Sequence, residues 1–102
     1  MAPELIDGLE ALRSVLGDPI KVVSGYRCPS YNKKIDGAKQ SQHMLGRAAD
    51  IQCDGSYPYA VAEAAEGVHP FDIGGIGRYD TFTHVDVRGC YGGKKARWSK
   101  YK

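Results

Sequence analysis

The apolar residues of this chain come in short, periodic groups. None approaches the roughly 18 consecutive positions of a membrane span, so each element must bury one face against another. Leu5, Leu9, Leu12 and Leu16 recur at three- and four-residue intervals, which predicts an amphipathic helix over 4–16. Gly17 ends it, and Asp18-Pro19 turns the chain. Ile20–Ser24 reads as a short β-branched strand. Gly25–Gln42, rich in Gly, Pro, Ser, Asn and Lys, reads as loop around a helical turn near Tyr31–Ile35. Arg47–Cys53 alternates as a strand. A second helix is expected over Tyr57–Gly67, with Ser56 as N-cap, Pro58 in the first turn and Gly67 as stop. Its alanines (Ala60, Ala62, Ala64, Ala65) suit close packing on a sheet. Gly74, Gly75 and Gly77 mark tight backbone before a last strand pair, Gly77–Tyr79 and Phe82–Arg88. The order predicts an α+β domain, a small antiparallel sheet with flanking helices. No repeat or linker divides the 102 residues, so 1–102 is read as a single domain.

The net charge of +2 is unevenly spread. Lys94, Lys95, Arg97, Lys100 and Lys102 crowd the end, and residues before them sum to −3. This basic tail, 94–102, with Trp98 and Tyr101, is read first as a solvated, frayed terminus and second as a polyanion-binding segment. Cys28, Cys53 and Cys90 are odd in number and contain no CxxC pair, which argues against a cysteine zinc knuckle and leaves their redox state open. The N-terminus shows no basic region followed by an apolar one, so no secretory signal is visible.

Three histidines can be weighed individually. His69, before Pro70, is most simply a surface or capping residue. His43 and His84 with Asp50 form a sound donor set for a catalytic zinc, because neutral imidazoles and a carboxylate leave a position open for water. Spacing alone also allows them to be ordinary polar residues. His84 and Asp86, two apart on a strand, point to one face, which makes Asp86 either a partner of a ligand or a proton acceptor.

Three segments carry more than spacing. Ser24-Gly25-Tyr26-Arg27, Ser41-x-His43-x-x-Gly46-x-Ala48-x-Asp50, and Gly75-Ile76-Gly77-Arg78-Tyr79 followed by Phe82-x-His84-Val85-Asp86 resemble the zinc D-Ala-D-Ala carboxypeptidase family. The likeness is greatest to its small single-domain members in phage lysins and cell-wall enzymes, which share a superfamily with lysostaphin and the hedgehog domain. It runs in order from the first helix to about Arg88. The resemblance implies a hedgehog/D-Ala-D-Ala-peptidase-like fold and one zinc per chain held by His43, Asp50 and His84. It implies Arg27 as the cation facing the tetrahedral oxyanion and Ser41 near the substrate's terminal carboxylate. One departure concerns the general base. Many relatives carry an acid three positions before the second histidine, where this chain has Thr81. Asp80 and Asp86 are the candidates, and strand geometry favours Asp86. Tyr26, Tyr31 and Tyr79 are candidates to line a cleft.

The expected function is that of a zinc metallopeptidase cutting D-amino-acid-containing peptide bonds of peptidoglycan stem peptides or precursors, as carboxypeptidase or endopeptidase. A peptidoglycan peptide is then the partner, with no nucleic acid or membrane and a monomeric state. Its place of action is the cell wall, whether periplasmic, extracellular or phage-released. A non-catalytic zinc-containing module that binds cell-wall peptides is the alternative. Nucleic-acid binding by the tail ranks third because it leaves the histidines unexplained.

Overall fold

A computed structural model describes residues 2–24 and 46–100. Helix α1 runs over Pro3–Leu16. Leu5 and Leu12 are fully buried, and Leu9 and Leu16 pack at the margin of the core, so the leucine period does define the inward face. Gly17 takes φ +78° and donates its N–H to the Arg13 carbonyl, a left-handed stop that a side chain would resist.

Among the described residues, five strands form one sheet in the order β1-β2-β4-β3-β5. They are β1 (Ile20–Ser24), β2 (Ala48–Cys53), β3 (Gly75–Tyr79), β4 (Thr83–Asp86) and β5 (Ala96–Lys100). The first three pairings are antiparallel and β3–β5 is parallel, so the expected antiparallel sheet gains one parallel edge. Alternation sorts the two faces. Ala49, Ile51 and Cys53 of β2, Ile76 of β3 and Val85 of β4 join Leu5, Leu12, Val61, Ala62, Ala65 and Phe71 in the core. Asp50, His84 and Asp86 stand at the intervening positions, on the opposite face.

Helix α2 spans Pro58–Glu66, and its buried residues Val61, Ala62 and Ala65 face the sheet. The cap position falls on Tyr57 with no side-chain cap bond, and Ser56 instead closes a turn by donating its N–H to the Cys53 carbonyl. The expected Ser56 cap is therefore corrected by one position. Pro58 at the helix start explains why a capping side chain is dispensable there, since proline has one fewer N–H to satisfy.

The basic tail also needs correction. Residues 96–100 are strand β5, not a frayed end. The Arg97 guanidinium reaches Glu66 Oε1 at 2.6 Å, the Gly74 carbonyl at 2.7 Å and the Asp72 carbonyl at 2.9 Å. Those bonds fasten the strand to the domain and remove one cation from any polyanion-binding surface.

Glycines 74 and 75 let β3 start against Asp86. A Cβ on Gly74 would overlap the Asp86 backbone carbonyl, and one on Gly75 would overlap its carboxylate. Backbone cannot yield as a side chain can, so Gly74→Ala is expected to cost about 3 kcal/mol by overpacking. Gly67→Ala is the control, its nearest atom lying 3.7 Å from the new carbon, and should stay within about 0.5 kcal/mol. Urea unfolding of both variants measures the difference, and equal stabilities would remove this account of β3.

Candidate metal centre

β2 and β4 place Asp50 and His84 directly opposite each other in the antiparallel register. Paired side chains on one face of a sheet are neighbours. Here Asp50 Oδ1 lies 3.1 Å from His84 Nδ1. The other ring nitrogen, Nε2, lies 2.8 Å from Asp86 Oδ2.

Asp86 is completely buried, and both of its oxygens are engaged. Oδ1 accepts the Gly75 N–H at 2.8 Å, the Arg88 N–H at 3.0 Å and Arg88 Nε at 2.9 Å. Oδ2 accepts Arg88 Nη2 at 2.7 Å besides the imidazole. Burial alone would raise its pKa, but the hydrogen bonds from His84 and Arg88 outweigh burial and hold the carboxyl well below the usual carboxylate range.

An ionised carboxylate only accepts, so the hydrogen on Nε2 belongs to His84. A neutral ring then presents Nδ1 to the Asp50 carboxylate 3.1 Å away as acceptor against acceptor, whereas a protonated ring donates to it. A cation between them resolves the conflict. Burial disfavours the charged ring, yet the hydrogen bonds to Asp50 and Asp86 outweigh it and raise the His84 pKa, which favours a proton there. A metal ion fits the same gap. Two donors about 2.0–2.1 Å from a tetrahedral zinc stand about 3.3 Å apart, close to the separation seen here. Asp86, on the far nitrogen, stands where an outer carboxylate commonly fixes an imidazole that binds metal.

Among the described residues no cluster of three His, Cys, Asp or Glu side chains converges on one point. His43, expected as the remaining ligand, lies outside the described residues, as do Arg27 and Ser41. Tyr26, Tyr31 and Cys28 lie outside them too. Cys53 and Cys90 are free thiols, the first buried and the second exposed. His69 is at the surface, its Nδ1 3.0 Å from Asp72 Oδ1, as the sequence suggested.

The candidates for proton acceptor are separated by their settings. Asp86 faces the far nitrogen of His84 and has its oxygens saturated by arginine, backbone and imidazole, which is the setting of a partner to a ligand. Strand geometry favoured it as a base, but alternation fixes a face and not which ring nitrogen a neighbour meets, and here Asp86 meets Nε2. Asp80 is exposed in the turn between β3 and β4. That turn is held by the Tyr79 N–H donating to the Phe82 carbonyl and by the Gln52 side-chain amide donating to the Thr81 carbonyl at 2.6 Å. Gln52 thus ties the turn carrying Asp80 to the strand carrying Asp50. Gln52 was not singled out from the sequence, though it stands two residues from Asp50 on β2, and Arg88 entered only as a possible partner of Asp86.

The family model described as Peptidase M15 matches residues 1–86. The zinc D-Ala-D-Ala carboxypeptidase of Streptomyces albus G is 37% identical over 82 residues, covering 79% of this chain and 32% of the relative. The chain spans about a third of the length of that curated relative. With the match extending from the first helix through β4 and including Asp50, His84 and Asp86, this chain belongs to the peptidase M15 family.

Proposed function

We propose that this domain is a zinc-dependent peptidase that hydrolyses D-amino-acid-containing peptide bonds in peptidoglycan stem peptides or their precursors. The observation that carries the reading is the cross-strand pair of Asp50 Oδ1 and His84 Nδ1, 3.1 Å apart, with the far side of the imidazole already satisfied by Asp86. The kinship with a zinc D-Ala-D-Ala carboxypeptidase supports both the metal and the substrate class.

His43, Asp50 and His84 would hold one zinc, which when bound supplies a Lewis acid and makes water acidic enough to attack near neutral pH. Asp80 takes the proton of the attacking water and returns it to the leaving amine. An exposed carboxylate on a pinned turn can exchange protons in this way, whereas Asp86 is held ionised to orient His84. Arg27 places a fixed positive charge where the oxyanion develops. Ser41 hydrogen-bonds the substrate's terminal carboxylate. The work is done at the cell wall by a monomer.

The test is a digest of a stem pentapeptide ending in D-Ala-D-Ala and of a cross-linked muropeptide dimer by the zinc-equilibrated protein. Release of D-alanine from the first identifies a carboxypeptidase, and cleavage of the cross-bridge an endopeptidase. Asp80→Asn should lower kcat by about 10²–10⁴-fold with zinc content unchanged. An unchanged rate would exclude Asp80 as the base. Tight binding of both peptides with no product would replace the enzyme reading with that of a zinc-containing binding module.

A further inference from the structure

The candidate ligands belong to a longer row. Across the sheet Asp50 pairs with His84, His84 with Gly77, and Gly77 with Trp98, so one line crosses β2, β4, β3 and β5. Gly77 leaves that line open. A Cβ there would stand 2.5 Å from indole Cε2 and Nε1 of Trp98. Because the position is empty, the indole leans across β3 and meets the His84 ring, centroids 4.9 Å apart and planes tilted by 48°.

Independent contacts hold the indole in that pose. Its Nε1–H donates to the Tyr79 hydroxyl at 2.8 Å, and the Tyr79 ring stacks on Phe82 with centroids 4.3 Å apart. The Arg88 guanidinium, which also grips Asp86, lies 5.5 Å from the indole centroid. The imidazole is therefore constrained twice. Asp86 holds its edge through Nε2, and Trp98 blocks rotation of the plane from the β3 side. Trp98 lies beyond residues 1–86, the part matched by the family, so this second constraint comes from the segment outside that match.

We propose that Trp98 is a positioning residue for His84, keeping Nδ1 directed at Asp50 and so preserving the metal-binding geometry. The inference rests on the reading of His84 as a ligand. Trp98 is the single tryptophan of the chain, which also makes it a built-in reporter of that ligand.

The experiment uses the full chain as wild type, W98F and W98L; leucine keeps β5 docked by bulk but offers no ring, and phenylalanine restores one. In the metal-free wild type, the His84 ring protons should be shifted upfield by the indole in NMR spectra, and the shift should vanish in W98L. Cobalt added to the wild type should quench tryptophan emission to saturation at one equivalent, reversed by chelator. Zinc affinity, read by competition with a chromophoric chelator, should fall about tenfold or more in W98L and stay within about threefold of wild type in W98F. Equal affinities in wild type and W98L, with one zinc bound by each, would overturn the role of Trp98 while leaving the metal centre standing. A wild type that holds no zinc would instead remove the metal reading. Wild-type His84 ring protons at their random-coil positions would overturn the positioning role by themselves, even if W98L does not fold.

Discussion

Asp86→Asn is expected to be the most damaging conservative change in the domain. The carboxylate is fully buried and accepts from Gly75, His84 and Arg88 at once. An amide of the same shape offers one acceptor oxygen and one donor group. Whichever way it turns, its NH₂ meets either the imidazole and Arg88 Nη2, or the Gly75 and Arg88 backbone N–H groups with Arg88 Nε. Arg88 also loses its counter-charge in a site where its side chain is only 24% exposed. Breaking a buried charged pair from one side costs about 3–5 kcal/mol. For a domain of this size, on the order of 5–15 kcal/mol stable in total, that is a large share, with a Tm drop on the order of 20 °C. Zinc affinity should fall about 10–100-fold as the imidazole loses its anchor.

The pH dependence gives this prediction a sign. The folded-state pKa of Asp86 is depressed, so its stabilising contribution is complete above the ordinary carboxylate value near 3.9 and is lost as pH falls below that value. The stability gap between wild type and Asp86→Asn should therefore narrow from pH 5 to pH 3, below the range in which His84 titrates, in urea unfolding of metal-free protein. A gap that stays constant across that range would mean the charge of Asp86 does not stabilise the fold.

Much of this arrangement was legible because its signals are local. The leucine repeat located α1, and the alternations around Asp50 and His84 located β2 and β4. The same alternation placed Asp86 beside His84 and left its role open between partner and base. What bears on that choice is which ring nitrogen Asp86 meets and how Arg88 and the cross-strand Gly75 N–H use up its oxygens, and neither can be read from alternation. The tail was misread for the opposite reason. Lysines and an arginine near a terminus resemble a solvated segment, whereas β5 is set by non-local bonds from Arg97 to Glu66, Asp72 and Gly74, and by a parallel pairing with β3 that no nearby residue announces. Gly77 had a visible signal, a glycine within a strand, but its partner Trp98 could not be named without the strand order.

His84→Ala should separate the metal from the fold in a way that Asp86→Asn cannot. Removing the imidazole leaves Asp86 with Arg88 and the Gly75 N–H, so the buried ion pair survives. The metal-free variant should therefore lose less stability than Asp86→Asn, about 1–3 kcal/mol for the hydrogen bonds and packing removed. Its zinc site, by contrast, should be gone, because Asp50 faces an empty position across the β2–β4 pair. Hydrolysis should fall at least about a thousandfold, since the metal accounts for several kcal/mol of barrier lowering. Thermal unfolding with and without zinc gives a readout that does not depend on finding the substrate. A ligand at about a thousand times its Kd stabilises the folded state by roughly 4 kcal/mol, so zinc should raise the wild-type Tm well beyond the error of the measurement. The same zinc concentration should leave His84→Ala unmoved. A variant that still binds one zinc per chain, or is still stabilised by it, would show that the metal lies elsewhere and that the His84–Asp50 pair is a buried ion pair of the sheet.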